Sequence, residues 1–551
     1  MLCVLLAAWA AYANPGVESE HFEEDLVIRP LKDGRIGTRF SFTTTLEDVS
    51  PRNPESLDGD DDSQHYTLFP LTLGQILREY AITELHLSLN AGKWNYDTWG
   101  MPDEPGVATG GELWAWIADG ASTSVDQRWQ GLRNALAGLF CASLGAMDEQ
   151  RTTSPSRTFR PEGSLPDWGH PHHLRHAFLP SEHVCTENLT PFYKLLPCKS
   201  FSGIATLLNP HRLFDADWHG MSIHVLWKEG VGIQVRLTFQ AVLDPIRNSW
   251  NKKRDWSLKS LFGRRIEQSC PISSASQIRV SIPEDQPHLF TPQPSGVDGS
   301  YAVFNVSGGE WLFTDVEMRW HNETSFQNRF TDPRTATGKQ NSVSALSVQR
   351  TLKSVNKYRG SLNVAVTNNR GDDIQTTYLE TIPWFVQLFL HTLRIECNGT
   401  RRGDLLDDTT YTPPIPHSRP TLYQSTLTVP AGSTVYMTMD VTKAFLRYTE
   451  HPPDAQRGWD LPPAVFVPIK AGQKGSDELE RIYTPILLVD LATPDFSMPY
   501  NVIIMSSTLI TFIFGSVFNL LTRKFIVTKV EGNHKTDETG QLESASAGGK
   551  D

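Results

Sequence analysis

IHVLWKEGVGIQVRLTFQAVL, residues 223–243, alternates apolar and polar side chains on both sides of a Lys228-Glu229-Gly230 break. Successive side chains of a strand point to opposite faces, so Ile223, Val225 and Trp227 share one face. Ile233, Val235, Leu237, Phe239, Ala241 and Leu243 likewise line one face of the returning strand. A helix would need apolar residues three and four apart, whereas here they recur every second position. The segment is a hairpin with one buried face, and it makes β structure the leading expectation for the chain.

Working outward, the same alternation marks a second hairpin over 25–46, where Lys32-Asp33-Gly34 supplies the turn and Ile36, Thr38, Phe40 and Phe42 share a face. A Pro/Asp/Ser-rich loop over 51–64, a short helix over 71–80 and a strand over 82–89 follow. Trp94, Trp99, Trp114 and Trp116 form an aromatic patch suited to core or subunit contact. A helix is predicted over 124–144, because Val125, Trp129, Leu132, Leu136, Leu139, Phe140 and Leu144 step by three or four, and residues 122–124 offer a serine N-cap. The Pro/Ser-rich stretch 271–299 is the expected domain boundary. Beyond it, short strands over 301–306, 311–320, 362–367, 427–429, 435–441 and 486–491 read as a second, β-sandwich-like domain. The expected fold class is therefore mainly β with some α: an α+β domain over 14–270 and a β-sandwich-like domain over 271–498.

The chain has 551 residues, too many for one core, and a formal charge of −12, which excludes nucleic acid as a partner. Residues 2–13 are apolar and end in Ala11-Tyr12-Ala13, which suits cleavage of a signal peptide covering 1–13. Residues 502–521 carry no charge and would measure about 30 Å as a helix, the thickness of a bilayer core. A transmembrane helix is expected over 499–522. Arg523, Lys524 and Lys529 follow it, which places the tail 523–551 on the cytoplasmic side and 14–498 in a lumen. A removable lipid-anchor signal would end the chain at its hydrophobic stretch, and here a tail follows. Within the span, Ser507, Thr511, Gly515 and Asn519 are small or polar, suited to packing against other membrane subunits; a plain anchor whose hydroxyls bond its own backbone is the alternative. N-x-S/T acceptors for N-glycosylation stand at Asn188, Asn305, Asn322 and Asn398.

With Cys3 in the signal segment, Cys141, Cys185, Cys198, Cys270 and Cys397 remain, an odd set for an oxidising compartment. One thiol must stay free or reach another chain. VCTENLTPFYKLLPC, residues 184–198, holds two of the five beside an acceptor asparagine and two prolines, and reads as an exposed loop. Cys141, Cys198, Cys270 and Cys397 are candidates for intrachain bridges, with Cys198 to Cys141 the first pairing to consider.

Catalytic signatures are missing: no phosphate-binding or dinucleotide-binding glycine loop, no HExxH, no CxxC and no GxSxG occurs. Cys185 has His183 two residues away, but that spacing alone supplies neither an orienting third group nor an oxyanion hole. His170, His172, His173, His176 and His183 are spaced irregularly, with Pro171 and Pro180 among them, which reads as a loop with no metal site and no cofactor. Two Arg-Gly-Asp triplets, at 370–372 and 402–404, are of a length that chance supplies.

Several longer stretches carry a family likeness: HYTLFPLTLGQILREY (65–80), TELHLSLNAGKWN (83–95), GELWAWI (111–117), LFCASL (139–144), VCTENLTPFYKLLPC (184–198), DWSLKSLF (255–262), TIPWFVQLFLHTL (381–393) and DFSMPYNVIIMSSTLITFIFGSVFNLLTR (495–523). In this order they resemble the PIG-T family of GPI transamidase subunits. The resemblance implies a non-catalytic, largely β scaffold in the endoplasmic reticulum that holds a caspase-like catalytic subunit. That subunit cleaves a proprotein C-terminus and passes it to the GPI lipid. The resemblance also implies that the cysteine of VCTENLTP, here Cys185, forms a disulfide with the catalytic subunit, and that the membrane helix joins the other membrane subunits. A thiol- or metal-dependent lumenal hydrolase is the runner-up reading, and a cell-surface receptor the third.

Overall fold

A computed structural model describes residues 20–61, 66–247, 252–283, 287–306, 315–321, 323, 344–452, 454–469, 480–493 and 497–524. The expected signal peptide, Asn322, Lys529 and the tail beyond residue 524 lie outside the described residues.

The opening hairpins form as their alternation predicts. Strands β1 (Glu20–Pro30) and β2 (Ile36–Glu47) pair through the Lys32-Asp33-Gly34 turn. β3 (Ile82–Ala91), β4 (Gly110–Ala118), the two-residue β5 (Thr152–Thr153) and β6 (His172–Leu179) come next, and β7 (Trp218–Lys228) and β8 (Gly232–Leu243) are the hairpin of 223–243. Its register sets Ile223 opposite Leu237 and Val225 opposite Val235. Gly232 must be glycine: its φ is +116°, and a Cβ there would stand 2.0 Å from the Leu46 carbonyl oxygen.

The first sheet has eleven strands, with β5-β6-β4-β3-β7-β8-β2-β1 followed by Ala275–Ser281, Tyr301–Asn305 and Gly296–Asp298. β1 pairs in parallel with Ala275–Ser281, Leu26 lying beside Ile278. The Pro/Ser-rich stretch 271–299 therefore does not separate the sheets. Its prolines and serines mark turns between strands, and buried Ile278 and Val280 carry it into the first core. The sandwich begins only at Leu346–Ser354.

One face of this sheet is covered by helices. Phe22, Leu26, Phe40, Phe42, Leu85, Leu87, Leu113 and Ile117 pack into one core with α1 (Leu71–Glu79), α2 (Val125–Phe140) and α3 (Thr186–Leu195). α2 starts on a capping box in which the Ser124 hydroxyl accepts from the Gln127 N–H at 3.3 Å and Gln127 Oε1 accepts from the Ser124 N–H at 3.1 Å. It ends at Phe140, four residues short of Leu144, because Cys141 adopts the left-handed conformation with φ +53°.

The sandwich consists of two five-stranded antiparallel sheets. One orders Leu346–Ser354, Arg359–Asn368, Thr434–Lys443, Val386–Cys397 and Thr400–Arg401; the other orders Leu406–Thr412, Thr421–Val429, Ile374–Ile382, Val465–Ile469 and Ile482–Tyr483. Val364 and Val366 from one meet Tyr378, Tyr423, Leu427 and Phe466 from the other in a single core. This is the β-sandwich the strand pattern predicts.

The second face of the first sheet docks on that sandwich. Trp114, Trp116 and Phe178 pack with Phe159, Leu379, Leu422, Val465, Val467 and Tyr483. Two of the four tryptophans of the patch are thus contacts within the chain, while Trp94 and Trp99 join Trp218 in a smaller cluster. The described residues up to Ala492 form one compact unit.

The helix Ser497–Thr522 belongs to a separate unit. Its stretch Tyr500–Thr522 is long and apolar enough to cross a membrane. Along it the Thr508 hydroxyl donates to the Ile504 carbonyl at 2.7 Å and Thr511 to Ser507 at 2.8 Å, so these hydroxyls are satisfied within the helix.

Candidate functional site

The thiol-bearing stretch 184–198 is a helix rather than the loop its prolines suggest. Leu189, Phe192 and Leu195 fall three residues apart and are buried on α3, Phe192 lying edge-on to Phe42 of β2 with ring centroids 6.3 Å apart. Pro191 stands inside the helix, where it removes one ladder bond. Burial of three large apolar side chains outweighs that loss. Pro197 lies past the last turn, where a proline is no obstacle.

Cys185 is the N-cap of α3, with an extended backbone and an exposed side chain. Asn188, three positions on, holds it: Asn188 Oδ1 accepts from the Cys185 N–H at 2.7 Å. The other end of the same amide donates from Nδ2 to the Phe140 carbonyl at 2.8 Å, the last residue of α2. Nearby, the Ser143 N–H donates to Glu182 Oε1 at 2.8 Å. Two stretches of backbone, 140–143 and 182–188, are thereby stitched into one corner. Both Cys141 and Cys185 stand exposed on it as free thiols.

Asn188 corrects one expectation. It is fully buried and its amide nitrogen is committed to Phe140, so the folded chain leaves no room for a glycan there. Asn305 and Asn398 are exposed, the latter in the left-handed position of a tight Asn398-Gly399 turn.

The cysteine pairing is also corrected. Cys198 bonds to Cys270, with Cα atoms 6.0 Å apart, and not to Cys141. Cys198 follows α3 and Cys270 precedes Ala275–Ser281, so the bridge ties the end of the thiol-bearing helix to the strand beside β1. Cys397 is free but buried in the sandwich. Of the free thiols among the described residues, Cys141 and Cys185 alone face solvent.

The histidines expected in a loop lie largely on a strand. His172, His173 and His176 belong to β6, and His176 is buried with Nε2 at 3.0 Å from Glu112 Oε1. Among the described residues no group of three or more His, Cys, Asp or Glu side chains is arranged to hold a metal ion.

A different polar cluster, not singled out by sequence, fills the contact between sheet and sandwich. His86 on β3 and His224 on β7 touch through their Nδ1 atoms at 2.7 Å, and His86 Nε2 lies 2.9 Å from Glu84. Burial, with His86 and Arg236 nearby, pushes the His224 imidazole well below its usual range. Arg481, buried, donates to Glu162 at 2.8 Å and lies over the rings of Trp114 and Phe159 at 5.1 and 4.9 Å. Burial alone would raise the Glu162 carboxyl; His86 and Arg481 more than offset it and hold it at about 2. Glu84 accepts from the Glu162 and Gly163 N–H groups at 3.0 Å, so the polar face of this strand is covered by residues well separated from it in sequence.

The α3 corner thus presents an exposed free thiol on a backbone held by Asn188. The Arg402 guanidinium of the second Arg-Gly-Asp triplet is paired with Asp404 at 2.8 Å.

Comparison with known proteins gives the family. The family described as Gpi16 subunit, GPI transamidase component, matches residues 2–254 and 247–546. The GPI-anchor transamidase component PIGT of Homo sapiens is 32% identical, over 95% of this chain and 94% of its own length. The GPI transamidase component PIG-T homolog of Schizosaccharomyces pombe is also 32% identical, over 95% and 94%. The GPI transamidase component GPI16 of Saccharomyces cerevisiae is 30% identical, over 94% and 91%. With the likeness running from end to end, the chain belongs to the Gpi16 family of GPI transamidase components.

Proposed function

We propose that this protein is the non-catalytic scaffold of a GPI transamidase, and that Cys185 tethers the caspase-like catalytic subunit by a disulfide. The observation that carries the reading is the state of the five cysteines: Cys198 and Cys270 are bonded to each other, Cys397 is buried, and of the two exposed free thiols, Cys141 and Cys185, the second is the N-cap of a helix with its N–H held by Asn188. A tether of this kind keeps the catalytic subunit at high effective concentration whatever the strength of the noncovalent interface. The bulk of the chain stands in the lumen of the endoplasmic reticulum, the tail in the cytoplasm. Ser507, Thr511, Gly515 and Asn519 recur every fourth residue of the C-terminal helix, which gives one small, polar stripe for packing against the membrane subunits that hold the GPI lipid. Proprotein substrate reaches the catalytic subunit within that assembly.

The test is electrophoresis of the intact complex without reductant. A heavier, reductant-sensitive band containing both subunits is expected from the native chain and from Cys141→Ser, and it is absent from Cys185→Ser. Persistence of the band in Cys185→Ser with loss in Cys141→Ser would move the tether to the other exposed thiol of the corner. Proprotein cleavage by the isolated chain would overturn the non-catalytic reading.

A further inference from the structure

A cleft of about 680 Å³, counting the part open to solvent, lies between the first sheet and the sandwich. Phe178 of β6 lines it from the sheet. Trp384 and Phe385, in the turn between Ile374–Ile382 and Val386–Cys397, and Trp459 of the strand Trp459–Leu461 line it from the sandwich. Phe385 and Trp459 meet edge to face with ring centroids 4.8 Å apart, and the half-buried Arg151 guanidinium lies 5.6 Å from the centre of the Trp459 ring. An apolar, aromatic cleft at the contact of two layers, with a few placed polar groups, is the usual form of a binding site.

Two buried side chains that line the cleft carry polar atoms with no hydrogen-bond partner among the described residues: His176 Nδ1 and Thr381 Oγ1, on residues 4% and 8% exposed. Such atoms are costly to leave unpaired. His176 Nε2 lies 3.0 Å from Glu112 Oε1, and a carboxylate only accepts, so the ring proton stands on Nε2 and Nδ1 is an acceptor. The Thr381 hydroxyl can donate. The cleft therefore offers one acceptor and one donor, the complement of a peptide N–H and C=O, between aromatic walls that suit an apolar side chain on the same backbone. The path of the chain indicates where that peptide comes from. Pro180 also lines the cleft, and Cys185 follows five residues later, a stretch that spans about 18 Å at most when extended. Both belong to the same compact unit, so whatever is bonded at Cys185 stands beside the cleft.

We infer that the cleft between sheet and sandwich receives an extended segment of the catalytic subunit tethered at Cys185, with an apolar side chain among the aromatic rings, a backbone N–H on His176 Nδ1 and a backbone C=O on the Thr381 hydroxyl. The inference rests on reading Cys185 as the tether. A disulfide alone lets the attached subunit swivel about its rotatable bonds; a second, noncovalent anchor on the same face sets its orientation.

The test is photocrosslinking in the intact complex, with p-benzoylphenylalanine in place of Gln150, a half-buried residue that also lines the cleft. Irradiation followed by electrophoresis with reductant, which removes the tether from the readout, is expected to leave a covalent adduct with the catalytic subunit. An adduct formed only with another subunit or with the proprotein would overturn the inference, as would none. A second measurement is binding of the catalytic subunit to the full-length chain in the Cys185→Ser background, where no disulfide masks a loss. Thr381→Val removes the hydroxyl at nearly constant volume and is expected to weaken that binding roughly fivefold, the worth of one hydrogen bond, without lowering the thermal unfolding midpoint of the free chain. Unchanged affinity would overturn the inference, and so would a loss matched by a lower midpoint. If the reductant-sensitive band persists in Cys185→Ser, the tether reading fails and the assigned occupant fails with it; loss of the adduct with the band intact removes the cleft alone.

Discussion

Glu24 and Glu162 are both largely removed from water, yet they meet opposite fates. Glu24 lies on β1 toward the helices, with the Ser276 hydroxyl at 2.6 Å and the Ile204 N–H at 3.1 Å as partners, and burial pushes its carboxyl up to about 7. Glu162 sits between sheet and sandwich, where His86 and Arg481 overcome burial and hold it at about 2. The helix-side core accepts a carboxyl by keeping it near neutral. The sheet–sandwich contact accepts one by supplying cations. Burial does not settle a carboxylate's charge; what the rest of the chain delivers beside it does.

That contrast can be broken from the cation side first. Arg481→Met leaves Glu162 without its hydrogen-bonded guanidinium and is expected to cost about 3 kcal/mol, less than a fully enclosed pair because Glu162 keeps some contact with water. Adding Glu162→Gln should restore much of the loss, and thermal unfolding of the four chains in a double-mutant cycle measures the coupling. Additive losses would show that Arg481 acts through its rings and not through the carboxylate.

The helix side depends on covalent closure. Replacing Cys198 and Cys270 with serine removes a bridge across 72 residues and is expected to cost about 2–4 kcal/mol, read as a lower unfolding midpoint under conditions that leave native disulfides intact. An unchanged midpoint would mean that the Ser276 and Ile204 contacts to Glu24 hold this region without the bridge.

Acidity should separate the two carboxyls. The folded Glu24 carboxyl binds its proton more tightly than the unfolded one, so its stabilising share is full below about pH 4.5 and is lost as pH rises to about 7. Glu24→Gln keeps the acceptor oxygen without the charge, and is expected to match the native chain near pH 4.5 and exceed it by up to about 3 kcal/mol above pH 7. Glu162 has the reverse sign, contributing above about pH 4.5 and losing that contribution as pH falls toward 2. A gain from Glu24→Gln that does not change with pH would sink the assignment. The smallest expected effect is at the corner: Asn188→Ala should cost about 1–2 kcal/mol, since the buried Phe140 carbonyl and the partly buried Cys185 N–H lose their partner. In the native chain, peptides containing Asn188 should carry no glycan in mass spectrometry.

The parts of the fold that were legible share a property: their signal is local. Alternation over a dozen residues gave β1, β2, β7 and β8, although β7 and much of β8 are buried on both faces and not on one, and the three-and-four spacing with Ser124 gave α2. The α3 helix was hidden because Pro191 and Pro197 are strong local markers of loops, while the contacts that overrule them, such as Phe192 on Phe42, join residues 150 positions apart. Asn188 was misread for a related reason. Asn-Leu-Thr is a motif of three residues, and only the neighbouring helix end shows that the amide is already spent. The partnership of Cys198 with Cys270, the continuation of the first sheet past residue 271 and the burial of Glu84 and His86 are all set by strands distant in sequence. For the candidate site, Cys185 was legible through the odd cysteine count and the family resemblance; the exposed Cys141 beside the same amide was not.

The parallel pairing of β1 with Ala275–Ser281 has a temporal consequence. A chain made at about 5–20 residues per second needs roughly 13–50 s after β1 emerges before its lateral partner exists. Throughout that interval one edge of β1, with its row of unpaired backbone groups, remains open to whatever strand diffuses past. The nascent protein is therefore most prone to wrong association in the middle of its synthesis, and a strand-shielding chaperone would be needed then, well before the sandwich or the membrane helix has been made.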